Sequence, residues 1–197
     1  MCKKLFFALI LILVLSNNLE AQIKFGVKGG VNIAKEKFKE SSTTIESANT
    51  QSFHAGVFLQ LKSSKYFSFQ PELVYSREGG EFNDSRFRGN DELNYINLPL
   101  LIKFHPIKYF NLVAGPQLGF LHTSKGRING FDREKENFKP LNTSIAVGAG
   151  INVSKEFEFY ARYNIGFENI NEIAGSNIEI TLQTLQFGIA ISLVNKD

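Results

Sequence analysis

Tryptophan is absent from the 197 residues, and methionine and cysteine occur once each. The lone Cys2 precedes an apolar run, whereas a lipoprotein cysteine would close one, so a lipid anchor through it is disfavoured. Beyond Cys2 no thiol remains for a disulfide, so packing and hydrogen bonds alone must hold the fold. An excess of one charge is missing too. The chain has 22 basic and 19 acidic residues; without residues 1–21, which carry Lys3, Lys4 and Glu20, the net charge is +2. Near-neutrality implies neither a nucleic-acid patch nor a polyanion-binding face. After Gln22 there is also no continuous apolar run of helix-spanning length, so any membrane crossing must be made by strands.

The one continuous apolar run, Leu5 to Leu15, follows Lys3 and Lys4 and gives way to Ser16-Asn17-Asn18. It is too short for a comfortable membrane helix. Leu19-Glu20-Ala21 then offers a small residue for cleavage before Gln22, the pattern of an export signal. The expectation is a signal peptide over residues 1–21 and one domain over residues 22–197.

What this domain has in quantity is alternation. Ile23, Phe25, Val27, Val31 and Ile33 share one parity, while Lys24, Lys28 and Asn32 take the other. Phe53, Ala55, Val57, Leu59 and Leu61 repeat the pattern against His54, Gln60 and Lys62. A period of two means one face meets something oily and the other something polar. Six further stretches alternate likewise: Tyr66–Arg77, Leu93–Phe104, Tyr109–Leu121, Thr143–Val153, Phe157–Phe167 and Ile180–Leu193. In the last, parity slips near Gln183-Thr184, which predicts a bulge or a shorter lipid-facing span. Eight strands of about ten residues predict an all-β fold, an eight-stranded antiparallel up-and-down transmembrane barrel. Pro71, Pro99 and Pro116 fall inside strands, where each removes a ladder donor, and bulges are expected there.

The connections alternate in length. Lys62–Lys65, His105–Lys108 and Ser154–Glu156 are tight; Ala34–Gln51, Glu78–Glu92, His122–Asn142 and Glu168–Glu179 are long and polar. Such asymmetry assigns tight turns to the periplasm and loops to the exterior. An aromatic cluster follows each tight turn: Tyr66, Phe67 and Phe69; Tyr109 and Phe110; Phe157 and Phe159. Together they predict a periplasmic aromatic girdle. The polar parity carries Lys28, Glu72, Lys103, Glu158 and Arg162. Buried charges must pair, so Glu72 and Glu158 are expected to meet some of these cations in a lumen too small for a wide channel.

A soluble periplasmic barrel that binds an apolar ligand is the competing fold, since it alternates too. Against it stand the nearly charge-free oily parity, the aromatics at strand ends and the export signal.

Four segments carry a family resemblance: Phe25–Asn32 (FGVKGGVN), Gln70–Ser76 (QPELVYS), Tyr95–Phe104 (YINLPLLIKF) and Ala114–Gly119 (AGPQLG). In this order they resemble the PorT-type outer-membrane β-barrel family of the Bacteroidota. The resemblance implies an eight-stranded barrel in the outer membrane of a Gram-negative bacterium, mostly without a defined activity, one branch being linked to protein secretion across that membrane.

Chemistry is thinly represented. His122, Ser124, Asp132 and Glu134 lie near one loop and His54 opens a strand, but no spacing resembles a triad or a metal site. No enzymatic activity and no cofactor are expected. The partners expected are outer-membrane lipid and, through the long loops, an extracellular or secretion-system protein. Phe131 and Phe138 are the candidate exposed anchors. A narrow gated pore is the remaining alternative.

Overall fold

A computed structural model describes residues 22–196 apart from 41–42, 47, 84–87, 129–130, 134–137 and 172–178. The predicted signal peptide lies outside the described residues. Eight long strands form the wall: β1 (Gln22–Glu40), β3 (Thr50–Lys62), β4 (Phe67–Glu78), β6 (Arg88–Ile107), β7 (Phe110–Ile128), β9 (Leu141–Asn152), β10 (Phe157–Gly166) and β11 (Glu179–Lys196). Three short strands, β2 (Thr43–Glu46), β5 (Glu81–Asn83) and β8 (Phe131–Arg133), add to their loop ends. Each long strand pairs antiparallel with its neighbour in sequence, and β1 pairs with β11 to close the ring. Closure leaves no sheet edge across the wall, as a lipid environment requires.

Parity sets the two faces. Along β4 every even-numbered residue from Ser68 to Glu78 is buried, and along β1 the same holds for Gly26, Lys28, Asn32, Ala34 and Glu36. The opposite parity is apolar and open: Val31 is 56 % exposed, Leu73 52 %, Ile102 59 % and Ile151 57 %. A continuous apolar belt of this kind needs an apolar solvent.

The strands are not of equal height. A membrane crossing takes about ten residues, yet β1, β6, β7 and β11 contain 19, 20, 19 and 18. The surplus stands at the loop end as two ridges, β1 with β11 and β6 with β7, across the barrel mouth from each other. Above the lipid the outer face no longer meets an apolar solvent, so the oily-outside, polar-inside contrast fades from the sequence. The segments Ala34–Gln51, Glu78–Glu92 and His122–Asn142, expected as loops, therefore hold much of this extra strand.

Two further expectations are corrected. The last strand keeps one parity through Gln183 and Thr184, paired with Lys35 and Ala34; the register shift lies lower, where Phe25 pairs with Val194 and Gly26 with Ser192, leaving Leu193 as the extra residue. What looked like slippage is a change of chemistry on the inner face, because Ile180 and Leu182 point inward. The prolines make no bulges either. Pro71 pairs with Leu100 on β6, Pro99 with Gln117 on β7 and Pro116 with Ile145 on β9. On the side of the preceding strand each lacks a ladder partner among the described residues; two residue pairs lapse there and the register resumes unchanged. A missing N–H costs the ladder one rung on one side only, which the intact opposite side tolerates.

Candidate functional site

The lumen gathers charged side chains of both signs, and it is layered. In the middle layer Glu72 of β4 accepts from Lys28 of β1 at 2.9 and 3.0 Å. From β10 the two terminal nitrogens of Arg162 reach the same carboxylate at 3.0 and 2.8 Å, a forked contact. Gln70 Nε2 donates a fifth bond at 2.7 Å. All three charged groups are buried. A carboxylate in this position needs such partners, because desolvation costs several kcal/mol per ion.

Beside this triad the ammonium of Lys28 stands 4.1 Å from the centre of the Tyr160 ring, in cation–π geometry. The Tyr160 hydroxyl meets His54 Nε2 at 2.5 Å, and His54 Nδ1 meets Asn32 Oδ1 at 2.7 Å. Asn32 Nδ2 donates to the carbonyls of Phe53 and Arg77, so its oxygen must face His54. His54 then carries its ring proton on Nδ1 and accepts from Tyr160 at Nε2. Room for Tyr160 comes from Gly188, where a Cβ would stand 2.5 Å from the phenol oxygen and from the carbonyl of Gly29.

Towards the tight turns, Lys103 of β6 binds both oxygens of Glu158 at 2.7 and 2.8 Å, with Asn111 Nδ2 at 3.3 Å. The free space beside Glu158 is about 10 Å³, no more than one water needs. Towards the loops, Glu78 accepts from Ser76, Asn97 and Thr184 at 2.9, 3.1 and 3.2 Å. Glu36 and Glu78, both buried here, escaped sequence reasoning because they fell in segments read as loop. The even parity running on from Lys28 and Asn32 to Glu36, and from Glu72 and Ser76 to Glu78, was the available signal.

The loop end is closed by apolar side chains. Leu93, Tyr95, Leu121, Ile180 and Leu182 point inward from the two ridges, and Phe138 and Ile170 descend between them from the loops. Phe138 is 2 % exposed, so it is no surface anchor; it is part of this cap. The side chain of Phe131 lies outside the described residues.

The remaining candidates are dispersed. His122 is exposed at a register shift of β7, where Asn94 pairs with Thr123 and Tyr95 with Leu121. Ser124 is half-buried nearby, while the side chains of Asp132 and Glu134 lie outside the described residues. No group of three metal-ligating side chains occurs among the described residues. The aromatics Tyr66, Phe67, Phe69, Tyr109, Phe110, Phe157 and Phe159 all lie at the turn end. Five are well exposed, and Phe69 and Phe110 are half-buried. Phe67 packs against Phe104 with the rings tilted by 34° and their centres 5.2 Å apart.

A ring of eight antiparallel strands, oily outside and ionic within, has one solvent that suits it. Residues 16–172 match the model of a family described as outer membrane protein beta-barrel domain. The chain belongs to that family. It is a β-barrel of the outer membrane, and the soluble-barrel alternative is set aside. Among solved structures it is similar to the attachment invasion locus protein Ail of Yersinia pestis, at 14 % identity and a TM-score of 0.51, over 89 % of this chain and 100 % of that one. It is similar also to Neisserial surface protein A, at 14 % identity and a TM-score of 0.55, over 86 % of this chain and 97 % of that one. At such identities the likeness is one of fold. No curated protein matches the chain.

Proposed function

We propose that this barrel is a closed outer-membrane scaffold without enzymatic activity, whose work is recognition at its loop end. The observation that carries the reading is Glu72 bound at once to Lys28 and Arg162 in mid-lumen. An ion threading the barrel would have to displace a fully bonded buried triad and then the apolar cap. A rigid wall carrying two tall ridges is, in contrast, a common way to present binding surfaces. The tight turns face the periplasm in this reading, and the turn-end aromatics mark the inner lipid interface. The PorT-type resemblance extends it to a partner in secretion across the outer membrane.

Planar-bilayer recording tests the closed lumen. Flat traces from wild type and from Glu72→Ala are expected, whereas stepwise conductance in wild type would instead support the narrow gated pore. Limited proteolysis of intact cells tests the orientation. Cleavage within 34–51 or 122–142 fits it, and cleavage at Ser63-Ser64 reverses it.

A further inference from the structure

A cavity of about 610 Å³ opens at the turn end between the three tight turns. Lys24, Lys62, Lys65, Lys108 and Lys155 line it together with His105, and no carboxylate is among its lining residues. The near-neutral net charge conceals this, and the nearest carboxylates, Glu156 and Glu158, stand beside Lys24 just outside the lining. Glu158 is held by Lys103, and Glu156 turns to the Ser154 hydroxyl at 2.7 Å. The cavity is of the size that small-molecule sites have.

We propose that this mouth binds the headgroup of an anionic phospholipid from the periplasmic leaflet. Complementary charge argues for an anion, and the rest of the rim argues for a lipid. Tyr66, Ile107 and Tyr109 line the same cavity and are exposed, so it opens at the level of the aromatic cluster. The ammonium groups of Lys65 and Lys108 lie 4.7 and 5.4 Å from the ring centres of Tyr66 and Tyr109, cation beside aromatic face. A phosphate seated among the lysines would thus have an apolar and aromatic edge where its glycerol and first methylenes emerge. A free phosphate has no use for that edge. Hydrogen bonds to the lipid phosphate come from the lysine ammoniums, and His105, already 2.9 Å from Ser68 Oγ, forms the floor.

The inference rests on the periplasmic placement of the tight turns, so two readouts are needed. Native mass spectrometry of the folded barrel from mixed phosphatidylcholine and phosphatidylglycerol should show phosphatidylglycerol retained over phosphatidylcholine. Lys62→Gln, Lys65→Gln and Lys108→Gln combined should reduce that retention roughly tenfold or more, and the matching triple arginine variant should restore it. Equal retention of both lipids, or no change in the glutamine variant, overturns the site. Displacement of the lipid by millimolar inorganic phosphate overturns the lipid as its source. Separately, a membrane-impermeant amine reagent on intact cells should label the exposed Lys39 and spare Lys65 and Lys108. Labelling of the latter two overturns the orientation, and the leaflet with it, whatever the mass spectra show.

Discussion

The barrel is closed twice, by opposite chemistry. In mid-lumen the seal is ionic, with Glu72 holding Lys28 and Arg162 from β1 and β10 across the bore. At the loop end it is apolar, with Phe138 and Ile170 lowered from loops onto residues of three strands, β6, β7 and β11. The ionic seal lies among groups that would be costly if left alone, so it specifies which strands face each other. The apolar seal is non-directional and holds segments that have no ladder of their own. Placing the apolar cap where water arrives and the ionic plug where it does not inverts the usual arrangement of a soluble protein.

Breaking the ionic seal should have the largest effect. Glu72→Ala leaves two buried cations without their carboxylate and should cost about 3–5 kcal/mol. Urea unfolding from lipid vesicles, followed by the shift in electrophoretic mobility on heating, measures this. An unchanged midpoint would mean that the triad contributes nothing to stability. Phe138→Ala should cost about 3 kcal/mol by emptying its place in the cap. That loss is expected locally, as faster protease cleavage within 122–142 with little change in the unfolding midpoint.

Replacing an ionic contact whole should matter less than halving it. Lys103→Met with Glu158→Gln should stay within about 1 kcal/mol of wild type, while Lys103→Met alone is clearly destabilised. A double variant as weak as the single would sink the distinction between a pair and its parts.

The smallest effect belongs to the turn end, outside both seals. Glu156 is held below the ordinary carboxylate range first by the Ser154 hydroxyl and then by a backbone hydrogen bond. A carboxyl lowered on folding adds stability above its unfolded pKa, and the gain disappears as pH falls through the folded value. Ser154→Ala should therefore raise the Glu156 titration towards that of a free glutamate, as read by carboxyl NMR, with no change in the barrel itself.

The two seals also differ in how far they were legible. Lys28, Glu72 and Arg162 sit on the polar parity of strands whose other face is oily, so a period of two placed them in one lumen before any contact was known. Lys103 and Glu158 follow by the same logic. Parity cannot say which carboxylate meets which cation, since that depends on the stagger of strands around the ring. The cap was illegible for the opposite reason. Ile180 and Leu182 are apolar on the inner parity, which reads as a slipped strand, and Phe138 is an isolated aromatic in a polar loop. The ridges were hidden too, because above the lipid the outward parity is no longer oily and the contrast between the two parities is lost. Glu78 and Glu36 were lost with them.

The three proline gaps have a mechanical meaning. Each opens towards the preceding strand, at Pro71, Pro99 and Pro116 in turn, and Pro71 lies beside Leu100, the residue after Pro99. The missing rungs thus lie side by side across β3, β4, β6 and β7, while the β9–β10 and β10–β11 pairings keep theirs. A cylinder stitched this way has unequal stiffness around its circumference. The backbone amides opposite the three prolines are therefore expected to exchange with deuterium sooner than their counterparts across the bore, as hydrogen-exchange mass spectrometry of the folded barrel would read.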